Sequence, residues 1–104
     1  MSSTRPTRNL SDAELEKVAG QFRLLGEPMR LKILQALCRK PLTVGEIVAA
    51  TGATQPNISK HLALLAAARI VTRQKGGQFV YYGMSHPLTM KLCQLVHKEL
   101  LKPS

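Results

Sequence analysis

The chain of 104 residues carries 15 lysines and arginines against 6 aspartates and glutamates, which gives a formal net charge of +9. This length suits one domain and excludes two, and the basic excess indicates a polyanionic partner, either nucleic acid or an anionic membrane surface. With two Phe, two Tyr and no Trp, the composition argues against base stacking on an aromatic platform.

Cysteine usage and hydropathy indicate the cellular compartment in which the protein is expected. Cys38 and Cys93 are too few for a disulfide framework, and neither belongs to a C-x-x-C pair. The N-terminus lacks the apolar run of a signal peptide, and no stretch has the length of a membrane span. We therefore expect a cytoplasmic protein with free thiols and no membrane partner. Sparse acids and the lack of a nucleophile–base pair predict that it is not an enzyme.

The first elements are predicted from their end signals. Residues 1–10 are polar and are predicted to form a disordered tail, so that the folded domain covers residues 11–102. Ser11 and Glu14 have the spacing of a capping box, which predicts a first helix that ends near Gly26. The apolar stripe of this helix comprises Leu15, Val18, Phe22 and Leu25.

Two further helices follow. Pro28 suits a first helical turn, so a second helix is expected from there to about Arg39. Its inward residues are predicted to be Leu31, Leu34, Leu37 and Cys38. Thr43 and Glu46 form a second capping-box pattern, which predicts a short helix over residues 44–50. Its inward residues are predicted to be Ile47 and Val48.

The next helix, predicted over residues 54–67, has an unusual outward face. Ile58, Leu62 and Leu65 recur at helical spacing and predict a buried stripe. The outward face is predicted to carry hydrogen-bonding side chains, one cation and no acid, namely Gln55, Asn57, Ser59, Lys60 and His61. An ordinary solvated helix is the alternative, but these groups suit DNA base edges and phosphates. A short helix, a glycine turn and a longer helix together indicate a helix-turn-helix.

Beyond that helix the apolar period changes from 3.6 to 2. Residues 69–74 and 78–82 are rich in β-branched and aromatic types, and residues 75–77 give a turn signal between them. A β-hairpin with a basic tip is therefore predicted. Between Glu46 and Glu99 the sequence contains no acidic residue, so this part of the molecule carries nearly unopposed positive charge.

A last helix is predicted after Pro87, with Ser85 or His86 as its cap. Its apolar stripe is longer than packing within a small domain requires and comprises Leu88, Leu92, Leu95, Val96 and Leu100. The complete order predicts an α+β fold that is mainly α, a winged helix-turn-helix of about five helices with a two-stranded hairpin as the wing.

The local sequence resembles the ArsR/SmtB family of small dimeric bacterial repressors. The resemblance is carried by LGEPMRLKILQAL, by QPNISKHLALL, by RIVTR and by the glycine turn that leads to YY. It covers roughly residues 15–101. Each motif alone is weak, but their order and spacing together are specific. A winged helix that binds proteins and not DNA is the alternative from another functional class.

The resemblance implies a DNA-binding surface and a dimer. The residues that it places in the major groove or on its phosphates are Thr54, Gln55, Asn57, Ser59, Lys60 and His61. The wing residues that it places on phosphates or in the minor groove are Arg73, Lys75 and Gln78. It also implies a homodimer through the first and last helices and a palindromic operator with half-sites about 34 Å apart.

Members of this family usually release DNA when an inducer acts, and zinc is one inducer that the residues leave open. Zinc-type sites on the last helix pair Asp-x-His with a second His eleven residues after the first. His86 and His97 keep that separation, but Met84 and Leu100 replace the other two ligands. A capping His86 and a solvated His97 are the alternative, so no cofactor is assigned.

Thiol chemistry is the inducer mechanism that we favour from the sequence. Soft-metal sites of the family place thiolates in the helix before the turn, where this chain has Thr43 and Gly45. Oxidant or persulfide sensors of the family join a cysteine on the second helix to one on the last. Cys38 and Cys93 lie on those helices but at other positions, and both could also be buried apolar fillers.

Overall fold

The computed structural model describes residues 9–101 and 103, so most of the predicted tail lies outside the described residues. In chain order the elements of the described part are α1 (Asp12–Leu25), α2 (Pro28–Leu37), α3 (Val44–Thr51), α4 (Gln55–Ala67), β1 (Val71–Gly76), β2 (Phe79–Met84), α5 (Leu88–Val96) and a short π-helical segment (His97–Leu101). This order confirms the predicted winged helix-turn-helix. None of the helices described is long and apolar enough to cross a membrane.

Both predicted capping boxes are present. Ser11 Oγ accepts from the N–H of Glu14 at 3.1 Å, and the Glu14 carboxylate accepts from the N–H of Ser11 at 2.8 Å. Thr43 and Glu46 exchange the same pair of bonds at 3.2 and 2.9 Å. Each pair satisfies donors that the first turn of a helix leaves without partners, which is why α1 and α3 begin at these residues.

The core lies where α2, α3 and α4 meet the base of the hairpin. Its buried members are Ile33, Leu34, Leu37, Leu42, Ile47, Ile58, Leu62, Leu65, Ile70 and Val71. Two predictions for α2 are wrong, because Cys38 is exposed and Leu31 is only half-buried. The helix ends at Leu37, so Cys38 occupies the cap and its side chain leaves the core. Val48 on α3 is likewise only half-buried.

The hairpin turns later than predicted. Gly76 is the last residue of β1 and pairs with Phe79, which leaves a two-residue loop of Gly77 and Gln78. Gly77 has φ 63°, the left-handed conformation that glycine adopts at the first central position of a type II′ turn. A Cβ at Gly76 would lie 3.1 Å from the ring of Tyr81, so a larger residue there would require the ring to shift by a few tenths of an ångström.

The base of the hairpin is fixed to the rest of the domain. Leu42, between α2 and α3, pairs with Tyr82 of β2 through two backbone hydrogen bonds of 2.9 and 2.8 Å. The strand β2 therefore has β1 on one side and Leu42 on the other at this level.

The last helix differs from its prediction at the cap. Pro87 is the N-cap of α5 and no side chain accepts a bond there, so the predicted cap by Ser85 or His86 is wrong. Ser85 instead donates its N–H to Ile70 O at 3.1 Å, which holds it to the end of the hairpin. The predicted apolar stripe is largely uncovered in the protomer, because Leu88 and Leu95 on α5 and Leu100 in the π-helical segment are each more than half exposed.

Candidate nucleic-acid interface

The outward direction of α4 is set by its packing. Ile58, Leu62 and Leu65 have no exposed surface and bind one side of the helix to the core, as predicted. The turn before the helix depends on Gly52, which caps α3 at φ 76° and donates its N–H to Val48 O at 2.8 Å. Glycine takes this left-handed conformation without steric cost, so α3 stops and the chain can reverse direction.

The N-terminal half of α4 presents a polar surface without acids. Its four outward side chains are those of Gln55, Asn57, Ser59 and Lys60. All four are exposed, and none makes a hydrogen bond or ion pair with any residue that the structure describes. Thr54 is also exposed, but its Oγ1 is the N-cap and accepts from the N–H of Asn57 at 3.4 Å. The N-terminal end of a helix carries partial positive charge, which adds to that of Lys60. We call these five residues the α4 polar face.

His61 does not belong to this face, and its predicted outward position is wrong. Its side chain is only 12% exposed and points to α2, where Nδ1 accepts from Arg30 Nε at 3.1 Å. His61 follows Ile58 by three residues and precedes Leu65 by four, so it lies on the same inward stripe. This spacing is visible in the sequence and indicates the inward position, whereas the partner Arg30 is brought close only by the fold.

The wing carries the other predicted residues. Arg73 and Lys75 are exposed and lie on one face of β1, and Gln78 is in the loop at the tip. Arg73 Nε donates to the hydroxyl of Tyr82 at 3.3 Å, which holds part of the guanidinium while its other donors remain available.

The structure adds one cation that the sequence did not indicate. Lys40, after the end of α2, lines an open cleft together with Lys75 and Tyr81 of the wing and with Glu46 at the start of α3. Lys40 and Lys75 are 35 positions apart in the chain, so no local sequence pattern brings them together. The cleft therefore extends the basic surface from the wing towards α2.

The candidate sensor residues fall at separate places. Cys93 and His97 lie one helical turn apart and both line two apolar grooves between α5 and the corner that joins α1 to α2. Cys38 lines a different cavity with Met84 and Pro87, and Met90 lines both this cavity and one of the grooves. In the described part of the chain, no three His, Cys, Asp or Glu side chains converge as metal ligands would.

His86 and His97 are not brought together within one protomer. His86 precedes α5 and His97 follows it, and the nine residues of α5 extend roughly 13 Å. Two ligands of one metal ion lie within a few ångströms of each other. A zinc site that used both histidines would therefore have to combine residues of two protomers.

Comparisons with known proteins agree with this geometry. The sequence profile described as bacterial regulatory protein, arsR family, matches residues 27–73. The nodulation protein NolR of Rhizobium meliloti is 31% identical over 87 residues, which are 84% of this chain and 70% of that protein. The transcriptional repressor SdpR of Bacillus subtilis is 34% identical over 64 residues, which are 62% of this chain and 71% of that protein.

A solved structure extends the likeness to the complete fold. The homodimeric winged helix-turn-helix DNA-binding domain of Mb0332 from Mycobacterium bovis superimposes with a TM-score of 0.77 at 28% sequence identity. The match covers 92% of this chain and 94% of that chain, so it includes the wing and the flanking helices as well as the helix-turn-helix.

Proposed function

This chain belongs to the ArsR family of bacterial regulatory proteins, and on that premise we propose that it is a cytoplasmic transcriptional repressor. It acts as a homodimer on a palindromic site in double-stranded DNA. The single observation that carries this proposal is the α4 polar face, which is exposed and contains no acid. Four of its five side chains have no hydrogen-bond or ion-pair partner within the described part of the protomer.

Each group of the interface suits one kind of contact. The amide of Gln55 can form two bonds with adenine in the major groove, while Asn57 and Ser59 can reach base edges or phosphates. Lys60 and the wing lysine Lys75 suit phosphates, because an ammonium group recognises charge and not base identity. Gln78 at the tip of the wing suits the minor groove or its phosphates.

The dimer is supported by two exposed apolar surfaces. Leu15 and Phe22 on α1 are about half exposed. Leu88 and Leu95 on α5, and Leu100 in the π-helical segment that follows it, are more than half exposed. Contiguous apolar surface of this kind is typical of a protein–protein interface. A second copy of the chain covers both helices at once if the two protomers are related by a twofold axis.

DNA binding by the wild-type chain is the first test. Duplexes selected by the protein from a random pool should share a palindromic sequence, and the logarithm of the binding constant should fall linearly with the logarithm of salt concentration. Selection without enrichment, together with an absence of salt-dependent binding, would contradict the proposed function and favour a winged helix that binds other proteins.

For the inducer we propose thiol chemistry at Cys93. This thiol is half-buried in the grooves between α5 and the α1–α2 corner, with Lys32 and His97 among the lining residues of one groove. A peroxide would convert the thiol to a sulfenic acid and release water, which adds a polar oxygen to an apolar groove. Because α1 and α5 form the proposed dimer surface, this change would alter the dimer and with it the binding of DNA.

The sensing proposal is tested by comparing reduced, peroxide-treated and zinc-loaded protein in the same DNA titration. Peroxide should weaken operator binding by the wild type and leave Cys93→Ser unaffected, with Cys38→Ser as the matched control that still responds. An equal response of Cys93→Ser and the wild type would exclude Cys93. A response to zinc that is lost in both His86→Ala and His97→Ala would favour the metal alternative.

A further inference from the structure

One side chain, that of Arg30, joins three helices. Arg30 lies in the first turn of α2, and its Nε donates to His61 Nδ1 on α4 at 3.1 Å. Its Nη1 donates to the carbonyl of Leu24, near the end of α1, at 3.2 Å. The guanidinium is planar and its donors have fixed directions, so these two bonds relate the end of α1 to α4.

The imidazole ring of His61 lies between Arg30 on α2 and Glu27, the N-cap residue of α2. Since Nδ1 accepts from Arg30, the proton of the neutral ring is on Nε2. That nitrogen faces Glu27 Oε1 at 4.0 Å, and the same carboxylate oxygen accepts from the N–H of Arg30 at 2.9 Å. The local geometry of the α2 N-terminus and the position of the imidazole are therefore set together.

His61 is well placed to control the direction of the α4 polar face. It immediately follows Lys60 and is two residues after Ser59, so a small rotation of α4 about its axis would move all three side chains together. The apolar contacts of Ile58 and Leu65 determine which side of α4 faces the core, but the hydrophobic effect alone does not select one angle of the helix within that packing. A hydrogen bond is directional, and among the residues that the structure describes the Arg30–His61 bond is the one side-chain hydrogen bond between α4 and α2.

We propose that Arg30 and His61 are positioning residues that set the angle of α4 against the α1–α2 corner. The inference rests on the proposed function, because α1 is part of the proposed dimer surface. In the dimer, this angle fixes the separation and the relative orientation of the two α4 polar faces. The Arg30–His61 bond therefore determines how strictly the protein discriminates between operators whose half-sites are differently spaced.

The test measures binding to three duplexes: the operator selected by the wild type, the same operator with one base pair added between its half-sites, and an unrelated sequence. Arg30→Met keeps the alkyl stem and removes the donors, and His61→Phe keeps a ring and removes the acceptor. Each should weaken binding to the selected operator about tenfold and leave the other two duplexes nearly unchanged. Discrimination by spacing then falls about tenfold.

Two further variants separate positioning from general damage to the fold. His61→Asn places an oxygen close to the position of Nδ1 and should restore most of the discrimination. Arg30→Lys keeps the charge but has no fork of donors to reach both partners, so it should lose discrimination like Arg30→Met. The double variant of Arg30→Met with His61→Phe should be no worse than either single change, because both remove the same bond.

Two outcomes would overturn the inference: equal losses on all three duplexes, or full discrimination in Arg30→Met and His61→Phe. A readout on the protein without DNA keeps this failure distinct from failure of the proposed function. Nitrogen NMR should find Nδ1 of His61 unprotonated in the wild type and should report a changed ring environment in Arg30→Met. If the wild type selects no operator, the proposed function and this inference both fail; if it selects one and the variants match it, only the inference fails.

Discussion

Lys75 and Gln55 illustrate two different contributions that single residues make to the proposed interface. Lys75 is exposed on a strand, and its ammonium group can neutralise a phosphate whatever the base sequence. Gln55 is exposed in the first turn of α4, where its amide has both a donor and an acceptor for a base edge. Affinity on one duplex does not separate these contributions, whereas salt and sequence dependence do.

We expect Lys75→Ala to weaken DNA binding by about the same factor on every sequence. The slope of the logarithm of the binding constant against the logarithm of salt concentration should fall in magnitude by about one, because one phosphate contact is lost. Titrations at several salt concentrations measure both quantities. Lys17→Ala is the matched control, because Lys17 is exposed on α1, which contributes no residue to the proposed DNA interface, and should leave the slope unchanged. Gln55→Ala should relax base preference without changing the salt slope. A salt slope of Lys75→Ala equal to that of the wild type would contradict a phosphate contact by Lys75.

At the scale of elements, the predictable features are those that depend on neighbours in the chain. The capping boxes at Ser11 and Thr43 and the buried stripe of α4 needed only short-range spacing, and the structure has all three. The exact hairpin loop was not predictable, because Gly76 and Gly77 both permit a turn. The observed register pairs Gly76 with Phe79 and so leaves Gly77 in the loop, and this pairing is made across the sheet.

The positions of the candidate interface residues were likewise predictable only where they depend on neighbours in the chain. The outward residues of α4 followed from its helical period. His61 was misplaced because it was assigned to the outward face as a polar residue, although its spacing from Ile58 and Leu65 places it on the inward stripe. Arg30 and Lys40 have no local signal, since each acquires its neighbour from a distant segment. Their contacts with His61 and beside Lys75 belong to the tertiary structure.

The C-terminus of α4 has an unfavourable residue that offers a stability test. Arg69 has φ 62° and donates its N–H to Ala66 O, while Ile70 donates to Leu65 O, which together form a Schellman motif. Glycine is the usual residue at this position, because a side chain in the left-handed conformation costs about 1 kcal/mol.

We therefore expect Arg69→Gly to raise the free energy of unfolding by about 1 kcal/mol and the melting temperature by roughly 4–8 °C. Thermal unfolding should be compared at equal protein concentration, since dimerisation makes the melting temperature concentration-dependent. Arg69→Ala is the control that removes the charge but keeps a Cβ, and it should not stabilise. Equal stabilisation by the two variants would attribute the effect to charge.

At the scale of the whole molecule, charge and apolar surface are unevenly distributed. The acids Asp12, Glu14 and Glu16 lie on α1, whereas α4, the hairpin and α5 contain none. The exposed apolar residues are concentrated on α1 and α5. One surface is thus suited to a second protomer and another to a polyanion, and the two functions use different helices.

The proposed dimer can be disrupted at one position. Leu95 on α5 is 55% exposed in the protomer, and Leu95→Glu would place a charge at the interface in two symmetric copies. Complete burial of a leucine contributes about 1.5–3 kcal/mol, so covering the exposed half of Leu95 in two copies contributes roughly 2–3 kcal/mol, and we expect the dissociation constant of the dimer to rise on the order of 100-fold. Sedimentation equilibrium measures it. Leu64→Glu, on an exposed leucine of α4, should remain dimeric, and an unchanged dimer in Leu95→Glu would place the interface elsewhere.

The backbone bridge between Leu42 and Tyr82 has a mechanical consequence for the wing. It fixes the hairpin at its base, while residues 74–81 extend beyond it for roughly 10 Å, and the strand pairs that the structure describes there join these residues to each other. A hairpin held only at its base is displaced most at its tip, and in the proposed complex Lys75 and Gln78 are the residues there that contact the DNA. Minor grooves differ in width and stiffness from one sequence to another. We therefore expect base pairs that flank the operator to affect affinity through displacement of the wing, in addition to any contact that Gln78 makes in the minor groove.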